Sequence, residues 1–250
     1  MAAMKSFSNN VEPDSIAYLC SSGDDAAVRE IPIRQATGNL FRELMPWRTF
    51  RWHYGQRHYS GTYWSSTMSA HVIYESRLEL ARLMLADFDR SVNYIVAQPF
   101  LMRARVDGKL RHHIPDYLLL AEGGPVVVDV KPAHLLDDTL VATTFQWVRT
   151  VVAAVGWSFE VASEQPRVMM ENVRFLAGSR RRTSVNDSAL RQLRTQDLDG
   201  MSVGEAILGT RCAESLIRAA LLHMLWTHEV NTDLSVVLSS KSILTVPSSL

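Results

Sequence analysis

The amino-acid sequence predicts an α/β protein: a mixed sheet flanked by helices, followed by a small helical domain. Three observations predict it. Strand-like and helix-like segments follow one another as strand, helix, strands, helix, strand up to residue 178, which is the order of an α/β layer. Residues 114–132, IPDYLLLAEGGPVVVDVKP, hold two short apolar runs on either side of Gly123-Gly124, as two buried strands would. After Arg180-Arg181-Arg182 the composition shifts to clustered positive charge and then to helical patterns. The expected domains are an N-terminal arm (1–45), an α/β domain (46–178) and a helical domain (179–250), with the boundary near 178–183.

Each element has its own signal. In the arm, VREIPIRQA at 28–36 alternates in part like a short strand. Residues 49–74 are rich in aromatic residues, with breaks at Gly55 and Gly61, and read as strands with tight turns. Residues 75–89 carry Leu78, Ala81, Leu85 and Phe88 at helical spacing. Residues 93–106 read as one or two strands ended by Asp107-Gly108, a hairpin turn signal. Residues 139–157 read as a second helix ending near Gly156, and VRFLAG at 173–178 as a last strand. Beyond it, SVGEAILGT and RCAESLIRAALLHMLWTHEV are helical by pattern. The short apolar SILTV after them suggests a winged-helix arrangement, although helical packing or protein docking explains the tail equally well.

The chain has 250 residues, 47% of them hydrophobic, enough for a sizeable core in one large domain or two small ones. Its formal net charge is zero, so any nucleic-acid binding has to come from local patches. Cys20 and Cys212 are far apart, which argues against a disulfide framework or a zinc finger and fits a reducing cytoplasm. MAAMKSFSNNVEPDS lacks the apolar core of a signal peptide, and no apolar run approaches the roughly 20 residues of a membrane span. A cytoplasmic protein without a membrane partner is expected.

The apolar pair of strands poses a chemical question, because Asp116, Asp129 and Lys131 interrupt it. Side chains on a strand alternate faces, so Val126, Val128 and Val130 point one way and Val127, Asp129 and Lys131 the other. Pro132 holds Lys131 extended and tends to end the strand there, where a substrate can reach the lysine. Pro115 suits the first residue of a strand, so Asp116 opens its own. With a turn at 122–125 the two strands are antiparallel neighbours and the two aspartates converge. Converging carboxylates repel unless a cation or a shared proton compensates, and Mg²⁺ is commonly held by one or two carboxylates.

PD followed by DVK matches the PD-(D/E)xK signature of restriction-endonuclease-like nucleases. YESRLELARLMLADFD, VAQPF, RHHIPDYLLL and VVVDVKP, in that order, resemble TnsA, the endonuclease subunit of heteromeric transposases, over roughly residues 45–178. Leu78-Glu79-Leu80 matches the family's helix acid and Gln98-Pro99 its Q-P step. Some relatives have Gln where Asp129 stands. The resemblance implies a restriction-endonuclease-like fold and Mg²⁺, with Mn²⁺ as a substitute, held by Asp116, Asp129, the Val130 carbonyl and Glu79. It implies that Glu79, Asp116, Asp129 and Lys131 are catalytic, with Lys131 acting on the attacking water. It further implies cleavage of the 5′ strands of double-stranded DNA at transposon ends beside a DDE-type partner transposase, with room for an ATP-dependent transposition regulator. The rival expectations are a stand-alone restriction or repair nuclease of the same fold, and a catalytically inactive DNA-binding assembly subunit.

Other residues carry weaker signals. Glu75 and Glu79 share a helical face, so either can be the site acid, with Glu79 preferred. His112 and His113, being strand neighbours, cannot readily share one ion; phosphate contact or a surface position suits both. Trp64, Trp147 and Trp157 are expected in the core. Tyr54, Tyr59 and Tyr63, interleaved with Arg51, Arg57 and His58, suit either DNA contact or a half-buried hairpin. Arg180–Arg182 with Arg191 and Arg194 form either a solvated linker or a basic hinge for phosphates.

Overall fold

Two runs of apolar residues joined by Glu122-Gly123 build the middle of the main sheet. The computed structural model describes residues 59–247 without a break and, before them, Val11, 17–21, 28–32, Gln35, Phe41 and Trp47. The chain separates into two compact units, Met1–Ala86 with Ser91–Glu164, and Asp87–Arg90 with Gln165–Leu250.

In the first unit the main sheet holds β5 (Val92–Ala97), β8 (Tyr117–Ala121), β9 (Gly124–Val130) and β10 (Ser158–Ala162), in the order β10-β9-β8-β5. β5, β8 and β9 are antiparallel neighbours, and β10 joins β9 in parallel. A parallel neighbour needs a crossover. It is supplied by α2 (Thr139–Ala153), whose first amides Leu140 and Val141 donate to the N-cap Asp138 at 2.8 and 3.2 Å. The helix stops where Gly156 takes φ +76°, a left-handed conformation natural to glycine.

Both faces of this sheet are covered, which accounts for the continuous apolar runs. Val127 and Leu118 pack with Trp147, Val151 and Phe100 on one side. Val128, Tyr117 and Leu119 pack with Leu83 and Tyr74 on the other, joined by the partly buried Val126 and Val130. The second face is closed by the hairpin β3 (Gly61–Ser65) with β4 (Ala70–Tyr74), and by α1 (Arg77–Phe88). A further sheet holds β1 (Ala17–Ser21), β2 (Val28–Pro32), β6 (Leu101–Val106) and β7 (Lys109–His113), in the order β2-β1-β6-β7. The β6–β7 turn is Asp107-Gly108, both at positive φ (49° and 70°), as a tight hairpin requires.

Several expectations are corrected. VRFLAG is not a strand: it lies in α3 (Arg167–Ala177), where Met170, Val173, Leu176 and Ala177 are buried at helical spacing. The last strand is β10, which sequence reading passed over. The units divide after Glu164, ahead of the expected boundary at 178–183, because α3 packs with the later helix α6. α1 begins at Arg77 and not at 75, since Ser76 caps it, and of the expected Leu78–Ala81–Leu85–Phe88 stripe it buries only Ala81, with Leu83 and Ala86 taking the place of the others. Gly61 opens a strand and is not a turn; Ser66–Ser69 makes the hairpin turn, while Gly55 lies outside the described residues. Trp147 and Trp157 are buried, but Trp64 only half so.

The second unit comprises α3, α4 (Asp187–Arg194), α5 (Val203–Leu208) and α6 (Glu214–Trp226), with α3, α4 and α5 each packing on α6. α5 starts in a capping box: the Glu205 amide donates to Ser202 Oγ at 3.2 Å, and the Ser202 amide to Glu205 Oε2 at 2.8 Å. α4, which the sequence reading did not assign, is capped by Asn186. Asn172 is buried inside α3 because its amide binds a loop three times: Nδ2 to Leu234 O and Val236 O, Oδ1 from the Leu238 amide. No wing hairpin occurs among the described residues; Ile243 and Thr245 form only isolated bridges to Ser202 and Asn231. No helix among the described residues is long and apolar enough to cross a membrane.

Candidate functional site

The register of β8 against β9 begins at Tyr117↔Val128, and Asp116 lies one residue outside it, at the bend that leads into β8. Its amide donates to Val128 O at 3.1 Å, and Val128 is already opposite Tyr117, so the bond holds Asp116 against β9 without carrying the one-to-one register further. Asp116 and Asp129 line the same cleft and the charge of Asp129 acts on Asp116, so the two carboxylates meet. Asp116 Oδ2 in turn accepts from the Val130 amide at 2.6 Å. Lys131 donates its amide to Ala162 O at 2.8 Å, extending the β9–β10 ladder by one residue before Pro132 ends it.

These groups open on a cleft of about 360 Å³ lined by Glu79, His113, Asp116, Asp129, Val130 and Lys131, with α2 as its apolar wall. All four residues expected to be catalytic are therefore brought together with Val130. Glu75, the other helix acid weighed, precedes α1 and does not line the cleft.

Burial, reinforced by the charges of Glu79 and Asp129, holds the Asp116 carboxyl well above its ordinary range, against the opposing pull of the Val130 amide and Lys131. Excess negative charge around one cavity is the setting that a divalent cation with oxygen ligands relieves. Each carboxylate is also engaged by the protein. Glu79 is the third residue of α1: Oε2 accepts from the Glu75 amide at 2.7 Å and Oε1 from Ser76 Oγ at 2.9 Å. Asp129 is only 2% exposed and faces His113, whose Nε2 lies 2.9 and 2.7 Å from its two oxygens. Among the described residues no three His, Cys, Asp or Glu side chains converge closely enough to hold a metal as they stand. A carboxylate has about four lone-pair directions, so these bonds leave Asp116, Asp129 and Glu79 acceptor capacity for a cation.

Two further residues contribute: His113, which sequence reading placed at a surface or phosphate contact, and Gln98, matched there only as the Q-P step without a role. His113 belongs to the site, with its ring edge-on to Trp147 at 6.2 Å, and its neighbour His112 is exposed. The signal available was period-two alternation, which had already separated the pair. Gln98 braces Asp116 from β5: its amide donates to Asp116 O at 2.8 Å while its own φ is +45°. Its side-chain Oε1 is buried without a hydrogen-bond partner.

Other expectations fall away from the site. Tyr63 is buried in the hairpin, which removes it from DNA contact; Tyr59 is exposed and stacks on Tyr74. Arg51, Tyr54, Arg57 and His58 lie outside the described residues. In the arginine cluster, Arg194 pairs with Glu229 through two bonds of 2.8 and 2.9 Å, and Arg182 pairs with Asp187, so both cations are already matched by acids.

No protein-family model matches the chain, and no curated protein matches it significantly. The functional reading therefore stands on the motif and the cleft.

Proposed function

We propose that this protein is a Mg²⁺-dependent DNA endonuclease of the PD-(D/E)xK type, a TnsA-like subunit that cuts the 5′ strands at transposon ends beside a DDE-type transposase. The observation that carries the proposal is the meeting of Asp116 and Asp129, from the two halves of the split motif, in one cleft with Glu79 and Lys131. The restriction-endonuclease-like fold belongs to the same proposal, supported by the two motif strands standing side by side between α1 and α2.

In this reading Asp116, Asp129 and the Val130 carbonyl hold the cation, and Glu79 completes the acidic shell. When bound, Mg²⁺ neutralises phosphate charge and lowers the pKa of a coordinated water. The Lys131 ammonium orients the attacking water and stabilises charge developing on the phosphate. His113 and the Val130 amide keep Asp129 and Asp116 turned into the cleft. The apolar wall of α2 keeps bulk water from the opposite side. Water attacks phosphorus and the 3′ oxygen leaves, giving 5′-phosphate and 3′-hydroxyl ends.

A second reading, a catalytically silent DNA-binding assembly subunit, is favoured by one observation: the Glu79 and Asp129 oxygens are all engaged by protein groups. Calorimetric Mg²⁺ and Mn²⁺ binding beside a nicking assay on transposon-end DNA, with and without the partner transposase, separates the two. The nuclease reading expects Lys131→Ala to bind metal and fail to nick, with no rescue by Lys131→Arg, whose planar fork places its donors differently from the compact ammonium. Full nicking by Lys131→Ala rejects the mechanism, and absence of metal binding and nicking in the wild type favours the silent subunit.

A further inference from the structure

β7 reads Lys109-Leu110-Arg111-His112-His113 and contains no acid. Among the described residues it is the outer strand of its sheet, paired with β6. Lys109, Arg111 and His113 fall on one face, opposite Val106, Ala104 and Met102 in register. Those three β6 partners are buried, whereas Lys109 and Arg111 on the outer strand are exposed. The third residue of the same row, His113, reaches Asp129 inside the cleft. One strand thus carries two solvent-facing cations in line with the acidic site, about 6.6 Å apart, with Arg111 about 6.6 Å and Lys109 about 13 Å from His113 at the usual strand rise. In a chain of zero net charge this is a local basic row that leads somewhere.

We propose that the open edge of β7 is a phosphate track, on which Lys109 and Arg111 hold the backbone of a DNA strand and guide it toward the cleft at His113. The inference rests on the nuclease reading for the identity of its ligand. Arg103 and Arg105, on the other face of the hairpin, do not belong to the track: the first pairs with Glu30, and the second donates to Gly108 O at 3.2 Å. Phosphate contacts of this kind confer affinity and register but not sequence choice.

The test is the salt dependence of binding to a short fluorescein-labelled DNA duplex, read by anisotropy in EDTA between about 50 and 200 mM KCl. Each phosphate contact contributes about 0.9 to the slope of log K against log salt, so the Lys109→Ala/Arg111→Ala double variant is expected to lower the slope by about 1.8. A control that removes two exposed cations of the second unit, Arg174→Ala/Lys241→Ala, is expected to leave the slope unchanged. An unchanged slope in the β7 variant overturns the track, as does an equal loss in the control or absence of wild-type binding. Edge-strand cations also guard against edge-to-edge pairing. A β7 variant that self-associates but binds DNA as the wild type does would assign them that role instead. Nicking assays on the same proteins keep the two readings apart. A wild type that binds through β7 but never nicks retains the track and loses the nuclease; a β7 variant that binds and nicks normally does the reverse.

Discussion

Asp116 sits where its protonated form is favoured, and that has a sign in stability. With its folded pKa above the unfolded value of 3.8, the folded state holds the proton more tightly. Its contribution to stability is complete below the unfolded pKa and is lost as pH rises through the raised folded pKa. Asp116→Asn keeps an acceptor for the Val130 amide and removes the charge. In EDTA it is expected to be more stable than the wild type at neutral pH, with a gap that closes toward acid pH. Urea denaturation across the pH range checks this, and a gap that widens on acidification would reverse the assignment. His113 poses the complementary case, since it bonds a carboxylate that is almost wholly buried. His113→Ala is expected to cost about 2 kcal/mol, the usual worth of a hydrogen bond to a charged group, and His113→Gln less, because its amide can donate. Equal stability of both variants and the wild type would show that the clamp carries no weight.

Helix α1 is built to present its first turn. Ser76 Oγ accepts from the Glu79 amide at 3.1 Å, and the Glu79 carboxylate accepts from the Ser76 hydroxyl and from the Glu75 amide. Ser76-Arg77-Leu78-Glu79 is thus a capping pattern as well as a source of the site acid. Ser76→Ala is expected to cost about 1 kcal/mol in equilibrium unfolding. Glu79→Gln, which suits the same helix position, is expected to unfold near the wild-type midpoint while losing nicking activity far more than Glu75→Gln does. Equal mild losses from both would place the third acid elsewhere. The helix is apolar over most of its surface, with Leu78, Leu80, Leu83, Met84 and Leu85 in close succession. Spacing alone therefore allowed more than one buried stripe, and contact with the hairpin and Tyr117 selected Leu83 and Ala86.

At the scale of the molecule, the division after Glu164 changes where the chain can be cut. A fragment ending at Glu164 retains β10 and both faces of the main sheet, and is expected to fold, with cooperative unfolding and dispersed amide resonances. A fragment ending at Gly178 adds α3 without α6, leaving Met170, Val173 and Leu176 without the helix they pack on. It is expected to aggregate more readily in light scattering than the shorter one. If the longer fragment proves the better behaved, α3 belongs with the sheet.

The sequence by itself determined the inner strands β8 and β9, the hairpin turn at Asp107-Gly108 and the crossover helix α2. Each rests on local chemistry: apolar runs, positive-φ turn residues, helical spacing and a glycine stop. The meeting of Asp116 with Asp129 was legible for the same reason, because a short turn makes the two strands antiparallel neighbours and brings the start of one beside the end of the other. What only the tertiary structure decided involves partners distant along the chain. SFEVA is a strand because β9 offers it an edge, and VRFLAG is helical because α6 takes its apolar stripe. His113 enters the site because β7 carries it to Asp129 across a sixteen-residue separation, and Glu79 because α1 packs beside β8. A local pattern specifies which backbone shapes a segment can adopt; long-range burial chooses among them, since the free energy of removing apolar surface from water is settled only when both surfaces are present.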